Sequence, residues 1–108
     1  MEKSNVDKAM LDEIVRRIVD TAQPVKIILF GSGARNQMGP ASDLDILVVK
    51  DVEKRREMAT VIHRSLRGIE IGVDLIVVTP ADLVRFKDSP AVVISQALQE
   101  GRVLYEAA

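Results

Sequence analysis

Three aspartates stand at the beginnings of two apolar segments. Asp43 and Asp45 are two residues apart and directly precede the apolar run Ile46–Val49, and Asp74 directly precedes a similar run, Leu75–Val78. Side chains alternate along a strand, so Asp43 and Asp45 share one face, and Asp74 joins them if the two strands are neighbours. Converging carboxylates repel one another unless a cation compensates them. Because Mg²⁺ prefers one or two carboxylates together with substrate phosphates, these residues predict a cation site.

A glycine-rich turn indicates that the same region can also bind phosphate. Gly31-Ser32-Gly33 follows the apolar, β-branched run Val25–Phe30 and precedes a short helix predicted over residues 34–38. Glycine lets the main chain approach a ligand closely, and free amides at a helix start bind phosphate. Arg35 could contact phosphate or form a structural ion pair, and the sequence favours neither. A phosphate-binding turn near three carboxylates is typical of a metal–nucleotide site.

Helical and β patterns alternate along the chain, which predicts an α/β or α+β fold. The hydrophobic periodicity, with Ser4 or Asn5 as a cap, predicts a first helix over residues 5–22. A second helix is predicted from a cap at Asp51 to about Arg67. The other predicted elements are strands at 25–30, 44–49 and within 69–78, helices starting at Thr79-Pro80-Ala81-Asp82 and Ser89-Pro90, and a last strand at Val103–Tyr105.

Composition narrows the class of protein further. The 108 residues, of which 47% are hydrophobic and 29% charged, predict a single globular domain over residues 1–108. A net charge of −1 argues against a strongly basic nucleic-acid binder. The absence of cysteine and the single histidine, His63, exclude a Cys/His zinc cluster. No apolar run is long enough to span a membrane, and the polar N-terminus lacks a signal-peptide core, so we expect a cytoplasmic protein.

The spacing of the chemical residues resembles that of a known superfamily. Gly31-Ser32, ten intervening residues and then Asp43-x-Asp45 match the pattern of DNA polymerase β-like nucleotidyltransferases. The segments Ser32–Arg35 and Ser42–Asp45 resemble the minimal nucleotidyltransferase branch in particular. Asn36 departs from the pattern, since many members carry glycine there. The resemblance implies a small mixed β-sheet flanked by helices.

The resemblance also implies a role for each matching position. Gly31 and Ser32 would hold the β- and γ-phosphates of a nucleoside triphosphate, with Arg35 and Ser42 in the same nucleotide site. Asp43 and Asp45 would bind two Mg²⁺ ions, while Asp74 would complete the metal site and help to deprotonate the attacking hydroxyl. The implied reaction, with ATP as donor, is in-line attack on the α-phosphate with pyrophosphate leaving.

The acceptor is the least defined part of this interpretation. Minimal nucleotidyltransferases are commonly paired with HEPN-domain ribonuclease toxins, on which they act as antitoxins by transferring AMP to a tyrosine. The resemblance therefore implies a HEPN-domain partner. Two alternatives stay open: a homodimeric transferase for a small hydroxyl compound, and a binding module that neutralises its partner stoichiometrically. A membrane partner is not expected, and nucleic acid is disfavoured by the charge balance.

Overall fold

The structure is a computed structural model and describes residues 8–31, 43–89 and 93–107. The helices and strands in these ranges are, in chain order, α1 (Lys8–Ala22), β1 (Lys26–Phe30), β2 (Leu44–Val49), α2 (Arg55–Ser65), β3 (Val73–Val78), α3 (Pro80–Phe86), α4 (Val93–Glu100) and β4 (Arg102–Glu106). Within the same ranges, no helix has the length and apolar character that crossing a bilayer requires. The strand predicted over residues 44–49 is confirmed with the same bounds, and the short helix predicted over 34–38 lies outside the described residues.

The strands form one mixed sheet in the order β3-β2-β1-β4. β1 lies antiparallel to both β2 and β4, whereas β2 and β3 run parallel and are joined by a crossover that contains α2. The prediction of a small mixed sheet flanked by helices is confirmed. Because β2 and β3 are parallel neighbours, both strands begin at the same end of the sheet.

Residue alternation gives the sheet two different faces. On the first face, β2 contributes Leu44, Ile46 and Val48 to a core with α1 and α2. On the second face, Leu47 and Val49 join a smaller core with α3 and α4. The residues of α1 and α2 most deeply buried in the first core are Ile14, Ile18 and Ile62, and those of α4 in the second core are Ile94 and Ala97.

The second helix begins later than the sequence predicts. Asp51 is the expected cap, but α2 starts at Arg55, and the preceding Lys54 makes no side-chain capping hydrogen bond. Val52, in the irregular segment between β2 and α2, packs against the first core ahead of the helix start. α2 also ends at Ser65 rather than near Arg67, and a turn follows.

A capping box starts α3 where the sequence predicts it. The hydroxyl of Thr79 accepts a hydrogen bond from the amide of Asp82 (3.1 Å), and the Asp82 carboxylate accepts one from the amide of Thr79 (2.9 Å). Arg55 donates two further hydrogen bonds to the same carboxylate, at 2.8 and 3.1 Å. These bonds from Arg55 and Thr79 hold the pKa of Asp82 below its ordinary value. Hydrogen bonds between Arg55 and Asp82 thereby connect the start of α2 to the start of α3.

The end of α2 is fastened to α1 by Arg17. Its guanidinium donates to the main-chain oxygens of Arg67 (2.8 Å) and Ser65 (3.2 Å), and it pairs with Glu13 at 2.7 Å. Hydrogen bonds from Arg16 and Arg17 lower the pKa of Glu13 to about 2. A cation at carbonyls that a helix leaves unpaired satisfies them and complements the helix dipole. This contact fixes the turn that leads from α2 towards β3.

Candidate active site

The register of the parallel strands places Asp45 and Asp74 side by side. Their Cα atoms are partners in the β2–β3 ladder, and adjacent strands lie about 4.8 Å apart. Both side chains belong to the second face of the sheet, on the row that continues into Leu47 and Val49. Asp45 is half-buried and Asp74 is exposed. The two acidic strands are therefore neighbours, which the sequence left as a condition.

Asp43 immediately precedes β2, and its side chain points towards β3. The amide of Leu44 donates to the carbonyl of Gly72 at 2.9 Å, which aligns the segment before β2 with the segment before β3. The Asp43 carboxylate lies directly over Gly72, so that a Cβ at that glycine would stand 2.8 Å from Asp43 Cγ and closer still to Oδ1. The missing side chain at Gly72 makes room for this carboxylate.

Asp45 leans in the opposite direction, towards the end of β1. Phe30 is its partner across the β1–β2 ladder, and Gly31 follows Phe30 with φ +69°. A Cβ on Gly31 would overlap Asp45 Oδ2 and stand 3.3 Å from its Cγ. Position 31 requires glycine for two reasons: its backbone is left-handed, and the Asp45 carboxylate occupies the space that a Cβ would need. The first residue of the predicted phosphate-binding turn is thus in contact with a predicted metal ligand.

The side chains of Asp43 and Asp45 point in opposite directions, which limits how many carboxylates can bind one metal ion. Over residues 8–31, 43–89 and 93–107, no three Asp, Glu or His side chains lie close enough together to hold one ion. Mg²⁺ does not need three protein ligands, because it keeps several waters and is commonly bound through one or two carboxylates plus substrate phosphates. Asp45 and Asp74, at adjacent register positions, provide hard oxygen donors of that kind. The residues present therefore fit a magnesium ion.

The other predicted nucleotide-site residues cannot be placed in this geometry. Ser32, Arg35 and Ser42 lie outside the described residues, and so does Asn36, where the sequence departs from the superfamily pattern. Their roles stay predictions.

A basic groove beside the acidic strands is missed by the sequence interpretation. Arg64 and Arg67 follow the pattern of a basic helix end, which complements the helix dipole, and His63 lies beside them; all three side chains are exposed. They line a cavity of about 330 Å³ at the end of α2. His63 and Arg64 also line an adjoining cavity of about 500 Å³ that extends to Asp74. The i, i+3 spacing of the two arginines, just before the third carboxylate strand, could have indicated this groove.

The family of the chain is established by its sequence. Residues 12–108 match the model of the family described as polymerase beta, nucleotidyltransferase. Because the match spans most of its length, the chain belongs to this family. Comparison with curated protein sequences gives no match.

Solved structures with the same fold include proteins of toxin–antitoxin pairs. A chain of a toxin–antitoxin structure with AMP-PNP superposes with a TM-score of 0.64 at 22% identity, covering 90% of this chain and 73% of that one. A chain from a complex of tri-AMPylated Shewanella oneidensis HEPN toxin with MNT antitoxin gives 0.59 at 21% identity, covering 93% and 72%. A candidate nucleotidyltransferase from Sulfolobus solfataricus gives 0.61 at 22% identity, covering 91% and 78%. At these identities the likeness shows a shared fold.

Proposed function

We propose that this chain is a magnesium-dependent nucleotidyltransferase that transfers AMP from ATP to a tyrosine of a HEPN-domain protein. The observation that carries the proposal is the register of Asp45 beside Asp74, with Gly31 against Asp45. Membership of the nucleotidyltransferase family supports the reaction class. Asp43 and Asp74 are exposed, and Asp45 between Gly31 and Asp74 is half-buried.

Each residue then has a separate task. Asp45 and Asp74, with Asp43 nearby, would hold Mg²⁺, which would neutralise phosphate charge and orient the triphosphate. The main chain at Gly31 and the hydroxyl of Ser32 bind the terminal phosphates. Asp74 accepts the proton of the acceptor hydroxyl as its oxygen forms a bond to the α-phosphorus. The bond from that phosphorus to the bridging oxygen breaks, and pyrophosphate leaves with its electron pair.

The choice of acceptor is supported by the structural relatives. One of them is a complex that contains a tri-AMPylated HEPN toxin, and another contains AMP-PNP. A third carries glutamate in place of two aspartates spaced two positions apart, which is also the spacing of Asp43 and Asp45. These features suggest AMP as the transferred group and a HEPN-domain chain as its recipient.

Two other functions use the same surface differently. A homodimeric transferase would modify a small hydroxyl compound and leave a HEPN partner unmodified. A stoichiometric antitoxin would neutralise its partner by binding alone, so Asp43→Ala combined with Asp45→Ala would leave protection intact. The proposed enzyme loses protection in this double variant, and substoichiometric wild-type protein is sufficient given time.

Metal-dependent nucleotide binding is the first test of the site. Titration of ATP by calorimetry should give binding in the presence of Mg²⁺ and a loss of at least about tenfold in affinity with EDTA. Asp45→Asn should bind no better with Mg²⁺ than without it, because one carboxylate of the adjacent pair is gone. Glu70→Gln is the matched control, since Glu70 is an exposed acid outside the Asp45–Asp74 pair. Equal affinity with and without Mg²⁺ in the wild-type protein would refute the metal site.

A further inference from the structure

The groove between the end of α2 and β3 is lined by two arginines, and Asp74 is the one acid of the described residues that lines it. Arg16, Arg17 and Arg55 all pair with acids elsewhere in the fold. In contrast, neither Arg64 nor Arg67 has an acidic partner in the part of the chain that the structure describes. The two guanidinium groups line the groove together with the imidazole of His63. Such a groove attracts an anionic ligand.

The walls of the groove favour a peptide over a nucleic acid. They are aliphatic, formed by Leu66, Ile69, Ile71, Val73 and Leu75. No Phe, Tyr or Trp of the described residues lines either cavity, so there is no aromatic platform on which a base could stack. Arginine pairs strongly with carboxylates through two parallel hydrogen bonds, which suits an acidic side chain.

The outer edge of β3 gives such a peptide a main-chain partner. The amide of Leu44 bonds to the carbonyl of Gly72, and the amide of Lys50 to that of Val78. The main-chain N–H and C=O groups of the even-numbered β3 residues therefore face β2, whereas those of Val73, Leu75 and Val77 face the outer edge of the sheet. Among the described residues this outer edge has no strand beside it, since β3 is the last strand of the sheet. An extended segment can add there as a further strand.

Alternation along an added strand would separate its side chains between the two faces. A residue paired with Asp74 points to the face of the carboxylates, whereas its two sequence neighbours point to the face of the groove. We propose that the acceptor tyrosine is presented in an extended segment along β3, with an acidic residue next to it that binds Arg64 and Arg67. This inference rests on the proposed function and names the sequence context of its acceptor.

The test uses peptides and no nucleotide, so it is independent of catalysis. The probes are heptapeptides Ala-Val-X-Tyr-X-Val-Ala with X as Glu, Gln or Lys, titrated into isotopically labelled full-length protein and followed by amide chemical shifts. The Glu peptide should bind about fivefold more tightly than the Gln peptide and should bind better than the Lys peptide. The shifted amides should lie in β3 and in the last turn of α2.

Variants separate the groove from the active site. Arg64→Gln combined with Arg67→Gln should remove the preference for Glu, while Arg56→Gln, on the same helix but outside both cavities, should keep it. Asp45→Asn, which lies outside both cavities, should bind the Glu peptide as the wild type does and yet transfer no AMP, so a failure of catalysis leaves this test intact. The inference would be overturned if all three peptides bound equally or if none bound at millimolar concentration. It would also be overturned if a hexauridylate shifted the same amide signals more strongly than the Glu peptide does.

Discussion

At the scale of single residues, two glycines with left-handed backbone provide a matched pair. Gly31 (φ +69°) stands against Asp45, whereas at Gly68 (φ +92°) a Cβ would meet no atom within 4 Å. Gly68→Ala should cost about 1 kcal/mol from backbone strain alone. Gly31→Ala should cost more and should also weaken Mg²⁺-dependent ATP binding, because its methyl group displaces the Asp45 carboxylate. Urea unfolding and calorimetry measure the two effects. ATP affinity unchanged in Gly31→Ala would contradict the role of this contact.

The exposed carboxylates of the site should contribute little to folding. Asp43→Asn and Asp74→Asn each remove one negative charge from a group of three acids, so metal-free stability should stay within about 0.5 kcal/mol of wild type or rise. Transfer of AMP should be lost in both variants. Thermal unfolding without metal, alongside a transfer assay, provides the comparison. A large loss of metal-free stability would mean that these acids serve the fold instead.

The positions of the three acids could be predicted because a strand has a period of two and their strands are neighbours. The directions of the Asp43 and Asp45 side chains could not, since they depend on Gly72, just before β3, and Gly31, just after β1. The groove at Arg64 was also missed, because the helix dipole offered a sufficient local explanation for a basic last turn. Local patterns thus predict which residues share a face, and tertiary neighbours decide where those side chains point.

At the scale of elements, the link between α2 and α3 should make stability depend on pH. The pKa of Asp82 lies below its ordinary value of 3.8 because Arg55 and Thr79 bond to the carboxylate. The stabilisation is present above about pH 4 and is lost as the pH falls through the lowered pKa. Asp82→Asn should lower stability by about 1 kcal/mol at pH 7 and should lose less on acidification. Asp88→Asn, at an exposed acid, is the control. Equal acid sensitivity in Asp82→Asn and wild type would contradict this linkage.

The predicted helix start was correct for α3, where the capping signal is local, and wrong for α2, where a tertiary contact lies beside the predicted cap. Thr79, Pro80 and Asp82 form the expected capping box, since every partner lies within four residues. Asp51 is an equally good cap by residue type, but Val52 packs against the first core and α2 begins only after Lys54. The contact of Val52 is tertiary and lies outside any local capping pattern, so residue types alone could not predict the later start of α2.

At the scale of the whole molecule, the two faces of the sheet have different functions. The first face is covered by α1 and α2 and holds the larger core. The second face is covered by α3 and α4 over Leu47 and Val49, and its row of side chains continues into Asp45 beyond that core. The same alternation that builds the core therefore also places the acids on this face, beyond the residues that pack against α3 and α4. Under the proposed function, ATP and the acceptor meet there.

The most direct test of the proposed function is the intact mass of a HEPN-domain partner after incubation with this chain, ATP and Mg²⁺. Transfer of AMP predicts an increase of about 329 Da per modified tyrosine, with none in EDTA or with Asp43→Ala combined with Asp45→Ala. Substoichiometric wild-type protein should complete the reaction. A partner that stays unmodified yet is neutralised equally well by the double variant would contradict the enzymatic interpretation.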